Sequence, residues 1–269
     1  MDWLRLESPA YWITFTASFL LVAVWESWRP NRECIVPAGQ RWKMHGILLC
    51  IVMVVTTTIF RLSPVAAAIA AQGNPWGVLG FESIPFAVRA VAGFLLLDFT
   101  KYFTHWLYHH VSFLWPIHRV HHSDPDFDVS TGGRFHPLEP LLVQALDLGL
   151  ILLLAPPPAA VLFAKLAGVM LNFWEHANAN LPAGLDRTLR RWMITPGLHR
   201  IHHSQGIAEQ NKNFGEIFPL WDRIFGTYQA EAVGGDEKLV VGLRGYQNAR
   251  SLELGEMLTQ PFRKERLDG

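Results

Sequence analysis

HRVHH at residues 118–122 and HRIHH at residues 199–203 are two copies of one pattern, His-x-x-His-His. Residues three and four apart share a face of a helix, so each copy can present two or three imidazoles to the same side. His105 and His109 repeat the four-residue spacing on a stretch that also reads as a helix. Imidazole is a favoured ligand of iron, copper, nickel and zinc. The three groups of histidines therefore predict a site for more than one metal ion.

The composition indicates a membrane protein. Half of the residues are apolar and 17% are charged, and the mean hydropathy is +0.17. The apolar residues are concentrated in five blocks, residues 10–25, 46–60, 84–97, 141–155 and 159–174. We predict an all-α integral membrane protein with about three spanning helices and a helical hairpin that turns at residues 156–158. The alternative is a large soluble bundle in which these helices are buried, but their length and clustering favour the membrane.

The loop charges predict the orientation. Four basic residues, Arg29, Arg32, Arg41 and Lys43, lie between the first two blocks, whereas residues 62–83 contain no Lys or Arg. The positive-inside rule makes the first connection cytoplasmic. Counting the spans from there places every histidine cluster in a helical cap on the cytoplasmic side. Residues 1–269 are then one membrane-embedded domain, with a catalytic core at about residues 94–229.

Further histidines and carboxylates are candidates for the same site. We expect His176 to be a ligand, whereas His136 either lines the site or holds its loop. Asp98 lies two turns before His105, where its carboxylate could accept a proton from the second ring nitrogen of a ligand. The acidic residues at 124–128 are more typical of a solvated charge run. The carboxylates that could support the ligands are Asp98, Asp124, Glu175 and Asp222.

The histidine spacing resembles that of the fatty acid hydroxylase and sterol desaturase superfamily of membrane di-iron enzymes. The likeness continues through SDP at residues 123–125, FHPLE at residues 135–139 and FPLWDRIFGT at residues 218–227. It implies two iron ions that use molecular oxygen to oxidise a C–H bond of a lipid. The ligands carried over by this likeness are His105, His109, His118, His121, His122, His176, His199, His202 and His203. Asn180 could at best approximate a further ligand that many relatives have.

The resemblance also implies a set of cofactors and partners. The metals are two Fe ions, and Zn can replace them in purified material. No flavin, haem or NAD site is visible, so the electrons would come from an external ferredoxin, cytochrome or reductase. The substrate would be a lipid or sterol-like molecule from the bilayer, and the zero net charge argues against nucleic acid. Arg187, Arg190 and Arg191 could dock an acidic carrier or meet anionic headgroups.

Three other activities fit the same residues. A lipid or sterol desaturase and a carotenoid-type hydroxylase would use the same metal site. A non-enzymatic membrane metal-binding or transport protein is less favoured, because it would need ionisable residues along a path through the bilayer midplane.

One side-chain contact can be predicted within the hairpin. Asp147 and Lys165 lie at similar distances from the proline turn, so at about 1.5 Å per residue they should reach the same depth and pair.

Overall fold

The computed structural model describes residues 2–264, which form a bundle of helices. Within this range no β-strand is present, and two isolated β-bridges join Pro30 to Ala179 and Ser204 to Val241. The helices are α1 (Trp3–Trp28), α2 (Ala38–Ile59), α3 (Pro64–Ala70), α4 (Phe86–His110), α5 (Trp115–His122), α6 (Glu139–Leu154), α7 (Pro158–Glu175), α8 (Ala183–Leu189), α9 (Pro196–His202), α10 (Ile207–Gln210), α11 (Leu220–Phe225) and α12 (Leu254–Thr259).

Two segments of the described chain are long and apolar enough to cross a membrane: Trp3–Trp28, and Ala38–Ala70, which contains α2 and α3. Only 17% and 11% of their most apolar windows are buried within the protein. Leu21 of α1, for example, is 72% exposed. An apolar surface of this extent facing outward is typical of contact with lipid rather than water. The predicted third span, α4, does not join them, because it carries charged residues within its apolar stretch.

The predicted hairpin forms, with its two arms held apart. α6 ends at Leu154, Ala155 adopts a left-handed conformation with φ 51°, and α7 begins at Pro158. Proline suits the first position of a helix because it has no amide hydrogen to leave unpaired. α3 and α4 each pack against both α6 and α7. On its other side α7 packs along α1, where the ring of Phe15 lies 5.0 Å from that of Phe173.

The predicted pairing of Asp147 with Lys165 is wrong. Asp147 binds Lys101 of α4 through an Oδ2–Nζ contact of 3.2 Å, and Lys165 binds Glu7 of α1 through an Nζ–Oε1 contact of 2.8 Å. Both residues line a cavity that lies between α6 and α7. Equal depth in a hairpin is therefore not enough for contact, since neighbouring helices supply nearer partners.

The acidic run at residues 124–128 is buried rather than solvated. Arg41, near the start of α2, is 0% exposed and binds Asp124 at 2.7 Å, Asp128, and the hydroxyl of Thr131 at 3.1 Å. A fully buried guanidinium needs such partners, because an isolated buried charge is strongly destabilising. The cluster ties the base of α2 to the segment that follows the first His-x-x-His-His copy. It thus fixes α5 against the apolar helices.

Candidate metal centre

Two groups of histidines meet where α4, α5, α7 and α9 converge. The first group is His105, His109, His118, His122 and His202, and the second group is His121, His176, His199 and His203. Within each group, one ring nitrogen of every residue lies within 4.8 Å of those of all the others. The structure thus brings together all nine histidines that the resemblance singles out. Each group has the donors and the spacing to hold one metal ion.

Each His-x-x-His-His copy contributes to both groups. In α5, His118 and His122 are four residues apart and join the first group, while His121 joins the second. In α9 the assignment is reversed, with His202 in the first group and His199 and His203 in the second. The two groups touch, because the rings of His122 and His203 stack with their centroids 4.5 Å apart. Two ions held here would be close neighbours.

Backbone and carboxylate acceptors fix how these rings are oriented. Five Nδ1 atoms lie within hydrogen-bond distance of an acceptor oxygen: His105 with Phe214 O at 3.0 Å, His118 with Glu139 Oε1 at 2.7 Å, His121 with Arg134 O at 3.3 Å, His176 with Asn172 O at 2.6 Å, and His202 with Lys212 O at 2.8 Å. Four of these oxygens are backbone carbonyls, which can only accept, so Nδ1 of those four histidines must carry the proton. The carboxylate form of Glu139 holds His118 in the same tautomer. In a neutral imidazole the Nε2 atom then presents a bare lone pair.

These lone pairs face one another across the centre of the cluster. Nε2 of His121 lies 3.2 Å from Nε2 of His176, and the hydrogens of both rings are on Nδ1. Nε2 of His199 lies 3.0 Å from the same His176 atom. The buried Nε2 atoms of His105 and His202 have no hydrogen-bond partner. Acceptors crowded together without donors are unfavourable unless a cation lies between them. The arrangement therefore fits a pair of nitrogen-ligated transition-metal ions.

Burial keeps the imidazoles of α5 and α9 neutral. Desolvation lowers the pKa of His118 to about 3. It also lowers the pKa of His121 and His199 well below the ordinary value, and repulsion from neighbouring histidines adds to the effect. A neutral ring is the form that ligates a metal. At neutral pH these histidines are thus ready to bind without first losing a proton.

Glu139, at the start of α6, is the supporting residue that sequence reasoning missed. It is buried, and its Oε1 atom accepts from Nδ1 of His118. This carboxylate–histidine pair is the arrangement that commonly orients a metal ligand. The hydroxyl of Tyr108 donates to the Glu139 carbonyl at 2.7 Å and holds the turn. Its place in FHPLE, at the first residue of a helix and close in sequence to the first histidine motif, was the available signal.

Asp98 does not take the role that its spacing predicted. Its carboxylate accepts from the indole Nε1 of Trp221 at 2.8 Å and from the amide of Ile217 at 3.2 Å, and not from a histidine. Asp222 accepts from the amides of Phe214 and Gly215 at 2.8 and 2.9 Å. Both carboxylates therefore hold the loop whose Phe214 carbonyl orients His105.

The remaining acidic candidates have different surroundings. The Oε1 atom of Glu175 lies 3.8 Å from Nδ1 of His176 and from Nε2 of His199, beside the second group. Asp124 accepts from Arg41 and from the hydroxyl of Thr131, both at 2.7 Å. It therefore supports the site through the segment that follows α5.

His136 and Asn180 lie away from both groups. The Nε2 atom of His136 is 3.3 Å from the Leu258 carbonyl, and its Nδ1 accepts from the Leu138 amide at 3.2 Å. It therefore holds its loop to the C-terminal segment. Asn180 is exposed, and its backbone N–H donates to the Arg29 carbonyl at 2.8 Å. The structure therefore does not bring Asn180 to the metal centre.

Comparison with known proteins gives one family and several relatives. Residues 90–227 match the family model described as fatty acid hydroxylase, which confirms the resemblance inferred from the histidine motifs. No solved structure matches the chain.

Two of the curated relatives match about half of this chain. An ornithine lipid hydroxylase of Rhizobium tropici is 34% identical over 54% of this chain and 43% of its own length. A human alkylglycerol monooxygenase is 31% identical over 56% of this chain and 32% of its own length. The chain thus spans less than half the length of these two relatives. The human cholesterol 25-hydroxylase is 24% identical over 85% of this chain and 87% of its own length.

Proposed function

Because the chain belongs to the fatty acid hydroxylase family, we propose that it is a membrane di-iron oxygenase that hydroxylates a C–H bond of a lipid. The observation that carries the proposal is the pair of touching histidine groups with their inward-facing Nε2 atoms. The relatives named above include hydroxylases of an ornithine lipid and of cholesterol. Their names support a lipid as the substrate class.

The first and second groups would each hold one iron ion, through four or five imidazoles. When bound, the metal pair supplies the activation of oxygen and the cleavage of the C–H bond. The overall reaction takes the lipid C–H, O₂, two electrons and two protons to the alcohol and water. A separate ferredoxin, cytochrome or reductase would deliver the electrons. Zinc bound in the same groups would be inert, since it has no redox chemistry.

The chain's own residues orient the ligands and the substrate. The carbonyl of Phe214 and the carboxylate of Glu139 hold His105 and His118 in one tautomer, so that each Nε2 points inward. A cavity of about 380 Å³ adjoins the histidines between α1, α4, α6 and α7. A lipid bound there would be held against the metal pair and kept from water, which limits side reactions.

The apolar helices support a location in the membrane, with the histidine groups proposed to face the cytoplasm. That orientation depends on the basic residues between α1 and α2. Arg41 is a buried structural residue, so Arg29, Arg32 and Lys43 are the charges on which it rests. A lipid would enter laterally between the helices without crossing water.

The decisive experiment is expression in a host membrane supplied with iron, followed by mass spectrometry of the lipids. A His202→Ala variant is the control, since it removes one ligand of the first group. The proposal expects a lipid that gains one oxygen only with the native chain, and two iron ions per chain. Loss of two hydrogens without added oxygen would instead make the protein a desaturase. Purified protein that binds no transition metal, or that moves metal across vesicles without consuming oxygen, would refute the proposal.

A further inference from the structure

The cavity beside the histidines is unusually polar for a pocket between apolar helices. Its floor is formed by His105, His118, His121, His176 and His199. Its walls carry seven charged side chains, Asp98, Lys101, Glu139, Asp147, Lys165, Glu175 and Glu216. A pocket for a plain hydrocarbon chain needs none of these. Ionisable groups among membrane helices are expensive to bury and generally mark a functional site.

The charged pair nearest the floor is Lys101 with Asp147. Lys101 lies one helical turn before His105 on α4, a rise of ~6 Å from that ligand. Its Nζ atom binds Oδ2 of Asp147 at 3.2 Å. The other oxygen, Oδ1 of Asp147, is buried and has no hydrogen-bond partner. The pair thus lies on the cavity wall and has one carboxylate oxygen that no protein group uses.

Two other carboxylates on the cavity wall also have an unpartnered oxygen, but both lie against histidines. Glu139 contacts His118 at 2.7 Å, and Glu175 lies 3.8 Å from His199. Their charge can compensate that of bound metal ions. Asp147 has no such contact with a histidine, so its unpartnered oxygen is not accounted for by the metal centre.

The second ion pair beside the cavity, Lys165 with Glu7, lies farther from the histidines and has no unpartnered oxygen. Lys165 binds Glu7 at 2.8 Å, and the second oxygen of Glu7 accepts from the Ser63 hydroxyl at 2.6 Å. Lys165 lies eleven residues before His176, a rise of ~16 Å. Both oxygens of Glu7 are satisfied by the protein, so this pair joins α1 to α7 and leaves no acceptor for a ligand.

Space for a polar group is also built into the wall. Glu216 lines the cavity opposite Gly168 of α7. A Cβ atom at Gly168 would lie 2.8 Å from Oε1 of Glu216, closer than real Cβ contacts allow. A side chain at position 168 would therefore push the Glu216 carboxylate away from its present position. Lys101, Asp147 and Glu216 together form what we call the polar girdle.

We propose that the polar girdle binds a hydroxyl group of the lipid substrate and places it about one helical turn from the metal centre. A hydroxyl both donates and accepts, so it can donate to Oδ1 of Asp147 while it accepts from Nζ of Lys101. The polar girdle carries charges of both signs, so a carboxylate, a phosphate or an ammonium would each meet at least one like charge. A neutral hydroxyl meets none. The inference rests on the proposed function, because it takes the cavity to be the place where the lipid is oxidised.

Binding to zinc-loaded protein tests this without turnover. Protein in lipid nanodiscs is titrated with 1-dodecanol, dodecane and 1-dodecylamine, and the shift of the unfolding temperature gives their relative affinities. We expect 1-dodecanol to bind about tenfold more tightly than dodecane, the lower end for a hydrogen bond to a charged group. The double variant Lys101→Met with Asp147→Leu should lose this preference. It removes both partners of the ion pair together, so neither Lys101 nor Asp147 is left buried without the other.

Two further variants keep the test sharp. Asp147→Asn retains an acceptor oxygen and should keep part of the preference for the alcohol. The double variant Glu7→Gln with Lys165→Met removes the other ion pair beside the same cavity. It should retain the full preference for the alcohol over the alkane. Equal binding of alcohol and alkane by the native chain, tighter binding of the amine, or an unchanged preference in the girdle double variant would overturn the inference.

Zinc content, measured on every sample, separates this inference from the proposed function. Absence of bound metal would contradict the di-metal proposal. Bound metal without a preference for the alcohol would contradict only the role of the polar girdle.

Discussion

Glu139→Ala is expected to weaken metal binding at the first histidine group and to spare the second. The Oε1 atom of Glu139 accepts from Nδ1 of His118 at 2.7 Å, a length typical of a charge-assisted hydrogen bond. Alanine would leave that Nδ1 hydrogen without an acceptor, and His118 is only 3% exposed, so water has little access. Loss of such a supporting carboxylate lowers metal affinity by about 10- to 100-fold. This corresponds to roughly 1.4 to 2.7 kcal/mol.

The measurement is a titration of purified protein with zinc against a competing chelator, fitted to two sites. The native chain should show two tight sites, and the alanine variant one tight and one weakened site. Glu139→Gln is the matched control, because its amide oxygen can still accept from His118. Its zinc affinity at the first site should lie between those of the native chain and the alanine variant, since a neutral acceptor forms a weaker hydrogen bond than a carboxylate.

The reasoning would be refuted if Glu139→Ala bound both ions as tightly as the native chain. Equal weakening of both sites would also refute it, because His118, the histidine that Glu139 contacts, belongs only to the first group. Circular dichroism of the variant, compared with the native chain, would show that the helices are retained.

Three further predictions follow from buried groups. Arg41→Met should lower the free energy of unfolding by about 3 to 5 kcal/mol, because it leaves the carboxylates of Asp124 and Asp128 buried without their cation. Denaturant unfolding measures this change. A decrease below about 1 kcal/mol would contradict the prediction and mean that water replaces the guanidinium. The metal-free protein should lose stability as pH falls below about 6.5, because the unfolded chain then binds protons that the buried His118, with its pKa lowered to about 3, does not take up. Each such histidine contributes a slope of about 1.4 kcal/mol per pH unit, and an unfolding temperature that stays constant between neutral pH and pH 5 would contradict it. Gly168→Leu should displace the Glu216 carboxylate, because its Oε1 lies 2.8 Å from the site of the new Cβ. The variant should therefore bind 1-dodecanol less tightly while its zinc content stays at the native level. Unchanged binding of the alcohol would contradict this prediction and show that the cavity wall accommodates the leucine.

Much of the architecture could be read from local patterns in the sequence. Apolar blocks report helices because a helix in lipid must satisfy its own backbone and present apolar side chains outward. The hairpin turn was predictable from residues 156–158, because consecutive prolines cannot continue a helix. The count of spanning helices could not be read in this way, since two candidate spans are found among residues 2–264 where the sequence predicted three. α4 carries Asp98 and Lys101 toward a polar cavity, so its composition reflects the site as well as the membrane.

The identities of the clustered histidines were also determined by the sequence, because spacing along one helix sets which imidazoles share a face. What the sequence could not give was the partner of each side chain across helices. Arg41 binds residues within 124–128, which are far from it in the chain. Asp147 pairs with Lys101 on another helix and not with Lys165 in its own hairpin. The division of each His-x-x-His-His copy between two groups likewise depends on how α5 and α9 face each other. Packing angles and distances between helices decide these contacts, and they arise only when the whole chain has folded.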